Sequence, residues 1–180
     1  RKMRKSFNAP SDYTRSIAAF HQHGIAIMGC FVFGHDEDTA EVFEKTAEFV
    51  ISAGIDLPRF SILTPFPGTG LYRRLQSEDR ILTRDWERYD GQHVVFQPAR
   101  MSVTTLQEGH QRAWRAAYTY SAMLRRMRHS PAPWPVLAGA NFGYRFYSRN
   151  LHRYYNCDWP LATAPRFITP AQRAPTGVVS

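Results

Sequence analysis

Two apolar runs separated by a single amphipathic helix constrain this chain most. Ile25–Phe33 is apolar on both alternations and stops at Gly34. Phe60–Leu63 runs into Thr64-Pro65-Phe66-Pro67-Gly68-Thr69. A strand that is apolar on both sides predicts cover on both faces, as in parallel sheets. Between the runs, Asp38-Thr39-Ala40-Glu41 has the pattern of a capping box, with Asp38 accepting from the N3 amide and Glu41 reaching back. The helix it opens is expected to reach Ala53, with Val42, Phe43, Thr46, Phe49 and Val50 inward and Gly54 as its stop. A preceding helix is expected over Ser11–His23, with Tyr13, Ile17, Phe20 and His21 on one face, and Thr69 is expected to cap a short helix over Gly70–Ser77.

Helix–strand–helix–strand–helix with short connections is the grammar of parallel βα winding. Two such strands cannot bury both of their faces by themselves. The expected fold class is therefore α/β: a fragment of a parallel βα partial barrel over residues 1–77, then a mainly helical C-terminal extension over 78–155 and a Pro-containing tail over 156–180.

In the extension, Asp90-Gly91 predicts a turn before a short strand, His93–Phe96. Ser102 is expected to cap one long helix to Met127, on which Leu106, His110, Ala113, Trp114, Ala117, Tyr118 and Leu124 recur at helical spacing. Pro131, Pro133 and Pro135 break it. A second helix is expected over Val136–Tyr155, with Leu137, Ala140, Tyr144, Tyr147, Leu151 and Tyr154 on one face. Pro160, Pro165, Pro170 and Pro175 predict an extended or disordered tail.

Charge separates the two halves. Residues 1–100 hold 13 Lys/Arg and 13 Asp/Glu, whereas residues 101–180 hold 10 Arg against Glu108 and Asp158, so the net +8 lies entirely in the second part. Arg125, Arg126 and Arg128 suit a helix C-terminus. Arg145, Arg149 and Arg153 stripe the next helix, either as a solvated face or as a contact with an anionic membrane surface, where Tyr144, Tyr147, Tyr154 and Tyr155 fit headgroup depth. Nucleic acid is the competing anion, and no recognised RNA or DNA motif supports it. The longest apolar stretch, Ile25–Phe33, is far short of the roughly 20 residues of a membrane span. No leader pattern opens the chain. Two cysteines, Cys30 and Cys157, provide neither a disulfide scaffold nor a zinc site, and as free thiols they suit the cytoplasm. Cys30 is expected to be a small buried hydrophobe.

Ligands of parallel α/β folds bind beyond the carboxyl ends of the strands. Here those ends carry Phe31, Phe33 and Gly34 on one strand and Leu63, Thr64 and Pro65 on the other. Gly34 allows a positive φ or a close backbone approach, and the phenyl rings offer flat apolar contact to a purine. His35, Asp36 and Asp38 fit a solvated turn better than a metal site, because no second cluster joins them. No metal ligands are assigned, and no catalytic residue is.

The pattern Gly24-Ile25-x-x-x-Gly29-x-Phe31-Val32-Phe33-Gly34-x-Asp36-x-Asp38-Thr39, followed by Val42-Phe43-x-x-Thr46-x-x-Phe49 and Phe60-x-x-Leu63-Thr64-Pro65-x-Pro67-Gly68-Thr69-x-Leu71-Tyr72, resembles the back half of a radical SAM enzyme of the cobalamin-binding branch. The resemblance continues through Asp85-Trp86, Tyr89-Asp90-Gly91, His93-Val94-Val95-Phe96-x-Pro98 and Met101-Ser102, like the C-terminal extension of that branch, which includes hopanoid-type methylases. It implies a six-stranded partial barrel, reductive cleavage of S-adenosylmethionine by a 4Fe-4S cluster, and, with cobalamin from an upstream domain, methylation of a lipid-like or small-molecule substrate. It also implies that Phe31, Phe33, Gly34, Leu63, Thr64 and Pro65 line the adenosyl end of S-adenosylmethionine. The family's Cys-x3-Cys-x2-Cys and the cobalamin-domain Asp-x-His-x-x-Gly are absent from these 180 residues. The expectation is thus a C-terminal part that needs the missing N-terminal half as its partner and is inactive alone. The alternative is a basic helical module that binds an anionic surface, cytoplasmic or peripheral at the membrane.

Overall fold

The computed structural model describes residues 10–151, with side chains from Tyr13 onward. Arg153, Tyr154, Tyr155, Cys157 and the tail lie outside the described residues. The chain forms α1 (Pro10–Gln22), β1 (Met28–Phe33), α2 (Val42–Ser52), β2 (Leu57–Ile62), α3 (Gly70–Ser77), a 3-10 turn (Trp86–Arg88), α4 (Val103–Ala117), α5 (Tyr120–Met127) and α6 (Trp134–Arg149).

β1 and β2 pair in parallel, from Met28 opposite Leu57 to Phe33 opposite Ile62. The expected βα winding is therefore present in a two-stranded sheet. One face of that sheet carries the core. The Phe33 ring stacks on Phe60 at 5.7 Å and meets Phe43 of α2 edge-on at 4.9 Å. Phe60 packs on Trp114 of α4 at 5.5 Å. Burying each such side chain stabilises the fold by about 2–3 kcal/mol. The other face is open: Met28 and Val32 are 49% and 45% exposed. Cys30, expected to be buried, is exposed beside them because none of the described residues covers that side of β1.

The outer edge of β2 is closed by side chains in place of another strand. Tyr118 donates its hydroxyl to Pro58 O at 2.7 Å, and Trp114 Nε1 and His110 Nε2 both reach Phe60 O, at 3.1 and 3.2 Å. Ile62 N donates to Gly91 O at 2.6 Å. Pro58, which has no N–H, lies on the same edge, where a strand tolerates proline.

Several expected boundaries move. β1 begins at Met28 instead of Ile25, because the Ile27 amide is taken by the buried Asp56 carboxylate at 2.7 Å. β2 begins at Leu57, before the expected Phe60. The capping box does not form: α2 starts at Val42 after Glu41, which makes no side-chain cap and pairs instead with Lys45. His93–Phe96 contributes only an isolated antiparallel bridge, Ile81 to Phe96. The single long helix is two, since Thr119 caps a new start by accepting from Ala122 N. The last helix begins at Trp134 and ends at Arg149. Thr69 and Ser102 cap α3 and α4 as expected.

Candidate functional site

The two loops that follow β1 and β2 leave the sheet side by side. Leu63 N donates to Phe33 O at 2.8 Å, so the ladder continues one residue past the end of β2. Gly34 turns the chain there with φ +105. A Cβ at Gly34 would lie 3.1 Å from both Leu106 and Phe96, so the position is held by conformation and by contact alike. The Asp38 carboxylate accepts from the Gly34 and His35 amides, each at 2.9 Å, and ties the loop into a closed turn. This bond replaces the helix cap that the sequence suggests for Asp38.

The second loop is fixed from within. Thr64 Oγ1 donates to Ile62 O at 3.1 Å, and Thr69 Oγ1 donates to Phe66 O at 2.7 Å while accepting from Tyr72 N. Asp36 links the first loop to α3 through Arg74 and to the segment after α3 through Arg80, at 2.8 Å. Burial raises the Asp36 pKa, but the hydrogen bonds from Arg80 and Arg74 outweigh it and hold the carboxyl below its usual range.

Beyond the end of β2 the segment Asp90–Val95 is held firmly. Asp90 accepts from the Gln92 and His93 amides and lies 2.9 Å from His93 Nδ1. Burial raises the Asp90 pKa, yet these bonds bring it below the usual range. Gln107 of α4 donates to Gln92 O at 2.9 Å and accepts from Val94 N at 3.3 Å. His110, fully buried beneath, is driven down to about 4 by desolvation and is neutral at ordinary pH.

The six residues expected to line an adenosyl group are gathered at this end, but their side chains divide. Phe33 is enclosed by Phe43 and Phe60, and Phe31 meets Phe49 and Phe60, so both rings turn into the helical layer. Gly34 and Pro65 are buried, and Leu63 and Thr64 partly so. At this site Gly34 and Leu63–Pro65 adjoin, with Val32 on the open face beside them. The site does not present the Phe31 or Phe33 ring, whereas Phe66 in the second loop is exposed. It does not fit a cluster: among the described residues no group of three His, Cys, Asp or Glu side chains is placed to hold a metal.

A family model described as a domain of unknown function, DUF4070, matches residues 69–134, from the α3 cap to the first residue of α6. The bacteriochlorophyllide d C-12(1)-methyltransferase of Chlorobaculum tepidum is 36% identical over 134 residues, which is 74% of this chain and 29% of that protein. The bacteriochlorophyllide d C-8(2)-methyltransferase of the same organism is 30% identical over 69% of this chain and 28% of its own length. The hopanoid C-2 methylase of Rhodopseudomonas palustris is 29% identical over 46% of this chain and 16% of that protein.

The chain belongs to the cobalamin-binding-type radical SAM family.

It spans less than a third of the length of these curated relatives. Within this radical SAM chain, reading by residue type missed Asp90, His93, Gln107 and His110. Asp90-Gly91 signals a turn and nothing more, while His110 and Gln107 sit at core positions of a helical period. No local pattern announces that Asp90, His93 and Gln107 brace the segment beyond β2, or that His110 reaches Phe60 O of β2 itself. Among the described residues no helix is long and apolar enough to cross a membrane.

Proposed function

We propose that this chain forms the rear wall of a radical SAM methyltransferase barrel, with S-adenosylmethionine placed across the ends of β1 and β2. The parallel, in-register pairing that brings the Gly34 and Leu63–Pro65 loops together carries this reading. The amide of Leu57 bonds Ile27 O and that of Leu63 bonds Phe33 O. Alternate groups, those of Met28, Cys30 and Val32, therefore point to the opposite edge of β1. That edge and the open face beside it are where the rest of the barrel, supplied by the missing N-terminal half, joins.

When bound, S-adenosylmethionine, a 4Fe-4S cluster and cobalamin supply the electron-transfer and methyl-relay chemistry. This chain's residues supply placement. Asp38 holds the Gly34 turn, Asp36 ties that turn to α3, and the sealed edge of β2 keeps water out from the side. The cluster thiolates come from outside these residues, because Cys30 and Cys157 are the only cysteines here. The relatives of highest identity reported above support a carbon methylation on a substrate of the bacteriochlorophyllide class.

The test uses the full-length protein, reconstituted anaerobically with iron, sulfide, cobalamin and a reductant. It is expected to cleave S-adenosylmethionine and to add one methyl group to bacteriochlorophyllide d. Asp38→Ala is expected to raise KM for S-adenosylmethionine about tenfold, with a smaller change in kcat, because loosening a positioning turn weakens binding first. A fully reconstituted protein that leaves S-adenosylmethionine intact contradicts the reading.

A further inference from the structure

α5 and α6 gather at the amino end of β2, away from the Gly34 and Leu63 loops. Asn141 Nδ2 reaches Asp56 O at 3.4 Å, and Tyr118, just before α5, bonds Pro58 O. Arg126, which the sequence places at a helix C-terminus, is fully buried between them, donating to Ala117 O and, at 2.9 Å, to Asn141 Oδ1. Tyr144 and Tyr147 also point inward, where they pack on Trp114 at 6.0 and 5.2 Å.

The outward faces of the same two helices are apolar. Tyr120 and Leu124 of α5 are 63% and 51% exposed, and Phe142 and Phe146 of α6 are 52% and 56% exposed. The Tyr120 and Phe142 rings lie 6.4 Å apart across the helix seam. Spacing of i,i+4 joins Leu124 to Tyr120 and Phe146 to Phe142. The four side chains therefore form one strip, and a contiguous exposed apolar strip marks a contact surface.

Its charge says what covers it. From Gly109 to Leu151 the chain has no Asp or Glu. Arg125, Arg128 and Arg149 are exposed on these helices. Arg145 lies over the Tyr120 ring at 3.7 Å and donates to Tyr118 O at 2.6 Å. An aromatic strip bordered by arginine, on helices that carry no Asp or Glu, matches the interfacial layer of an anionic bilayer, with rings at headgroup depth and guanidinium groups on phosphates. Base stacking suits it less well, since one face of Tyr120 is already covered by Arg145. The open edge of β1, where the preceding barrel strand is proposed to join, belongs to a different part of the molecule.

We infer that the α5–α6 face docks the protein on membranes rich in anionic lipid, with the Tyr120–Leu124–Phe142–Phe146 strip in the interface. This reading does not rest on the proposed chemistry, because its readout is vesicle binding.

The test is flotation of the full-length protein with vesicles of phosphatidylcholine, alone or mixed with phosphatidylglycerol. Binding is expected only to the mixed vesicles and is expected to fall as salt rises. Each arginine near an acidic surface is worth about fivefold, so Arg125→Gln/Arg128→Gln/Arg149→Gln is expected to weaken partitioning about a hundredfold at low salt. Phe142→Gln/Phe146→Gln is expected to weaken it about tenfold at every salt concentration. Arg112→Gln, on the exposed face of α4, is expected to leave it unchanged. No binding to the mixed vesicles, binding that neither multiple variant weakens, or tighter binding of a nucleic acid duplex through the same arginines overturns the inference.

Discussion

Gly109 shows how one absent methyl group sets the spacing of two helices. A Cβ there would fall 2.2–2.5 Å from the ring carbons of Phe43, so α4 lies directly on that ring. Neither partner can give way without repacking, and overpacking of this kind costs about 1–3 kcal/mol. Gly109→Ala is expected to lower unfolding stability by roughly 2 kcal/mol in denaturant titration. Phe43→Ala opens the same space, so the double variant is expected to lose less than the two single losses combined. Additive losses would show that the contact does not couple the two positions. Other single residues are legible only in part. Thr69 and Ser102 announce themselves as caps by type and position. Asp38 announces the wrong bond: its carboxylate serves equally well at a helix start or across a glycine turn, and the turn that Gly34 makes brings the amides of Gly34 and His35 nearer.

At the scale of elements, α4 takes the place of a neighbouring strand for β2. His110, Trp114 and Tyr118, at i, i+4 and i+8, present three rings to carbonyls of one strand edge: Trp114 and Tyr118 donate, and His110 Nε2 lies 3.2 Å from Phe60 O. The sequence shows the spacing but reads it as an apolar helix face, since a ring that packs and a ring that donates look alike. The same ambiguity hides the break after Ala117: Tyr118 keeps the helical period, and only its bond to Pro58, with the Thr119 cap, ends the helix. Burial of His110 has a pH consequence. Its folded pKa is about 4 against an ordinary 6.5, so the fold favours the neutral ring. That contribution is complete above about pH 6.5 and is lost as pH falls toward 4, at most about 3 kcal/mol. Stability measured by urea unfolding is expected to fall across that window, and His110→Gln is expected to flatten the fall. A wild-type profile that is level from pH 6.5 to 4 contradicts the burial of a neutral His110.

At the scale of the whole molecule, the parallel winding is legible because two short apolar runs flank one amphipathic helix and leave little choice of connection. The direction of Phe31 and Phe33 is not legible. A strand apolar on both alternations carries no mark of which face meets helices, and the structure turns both rings away from the open side. The same open side exposes Cys30, Met28 and Val32, a surface that isolated strands rarely present and that a further parallel strand and its layer would cover. The most direct measurement is a structure of the full-length protein with S-adenosylmethionine bound. The account predicts a strand paired along Met28–Val32 and the adenosyl group in contact with the backbone of Gly34 and of Leu63–Pro65. A solvent-exposed β1 edge, or an adenosyl group bound away from these two loops, would contradict it.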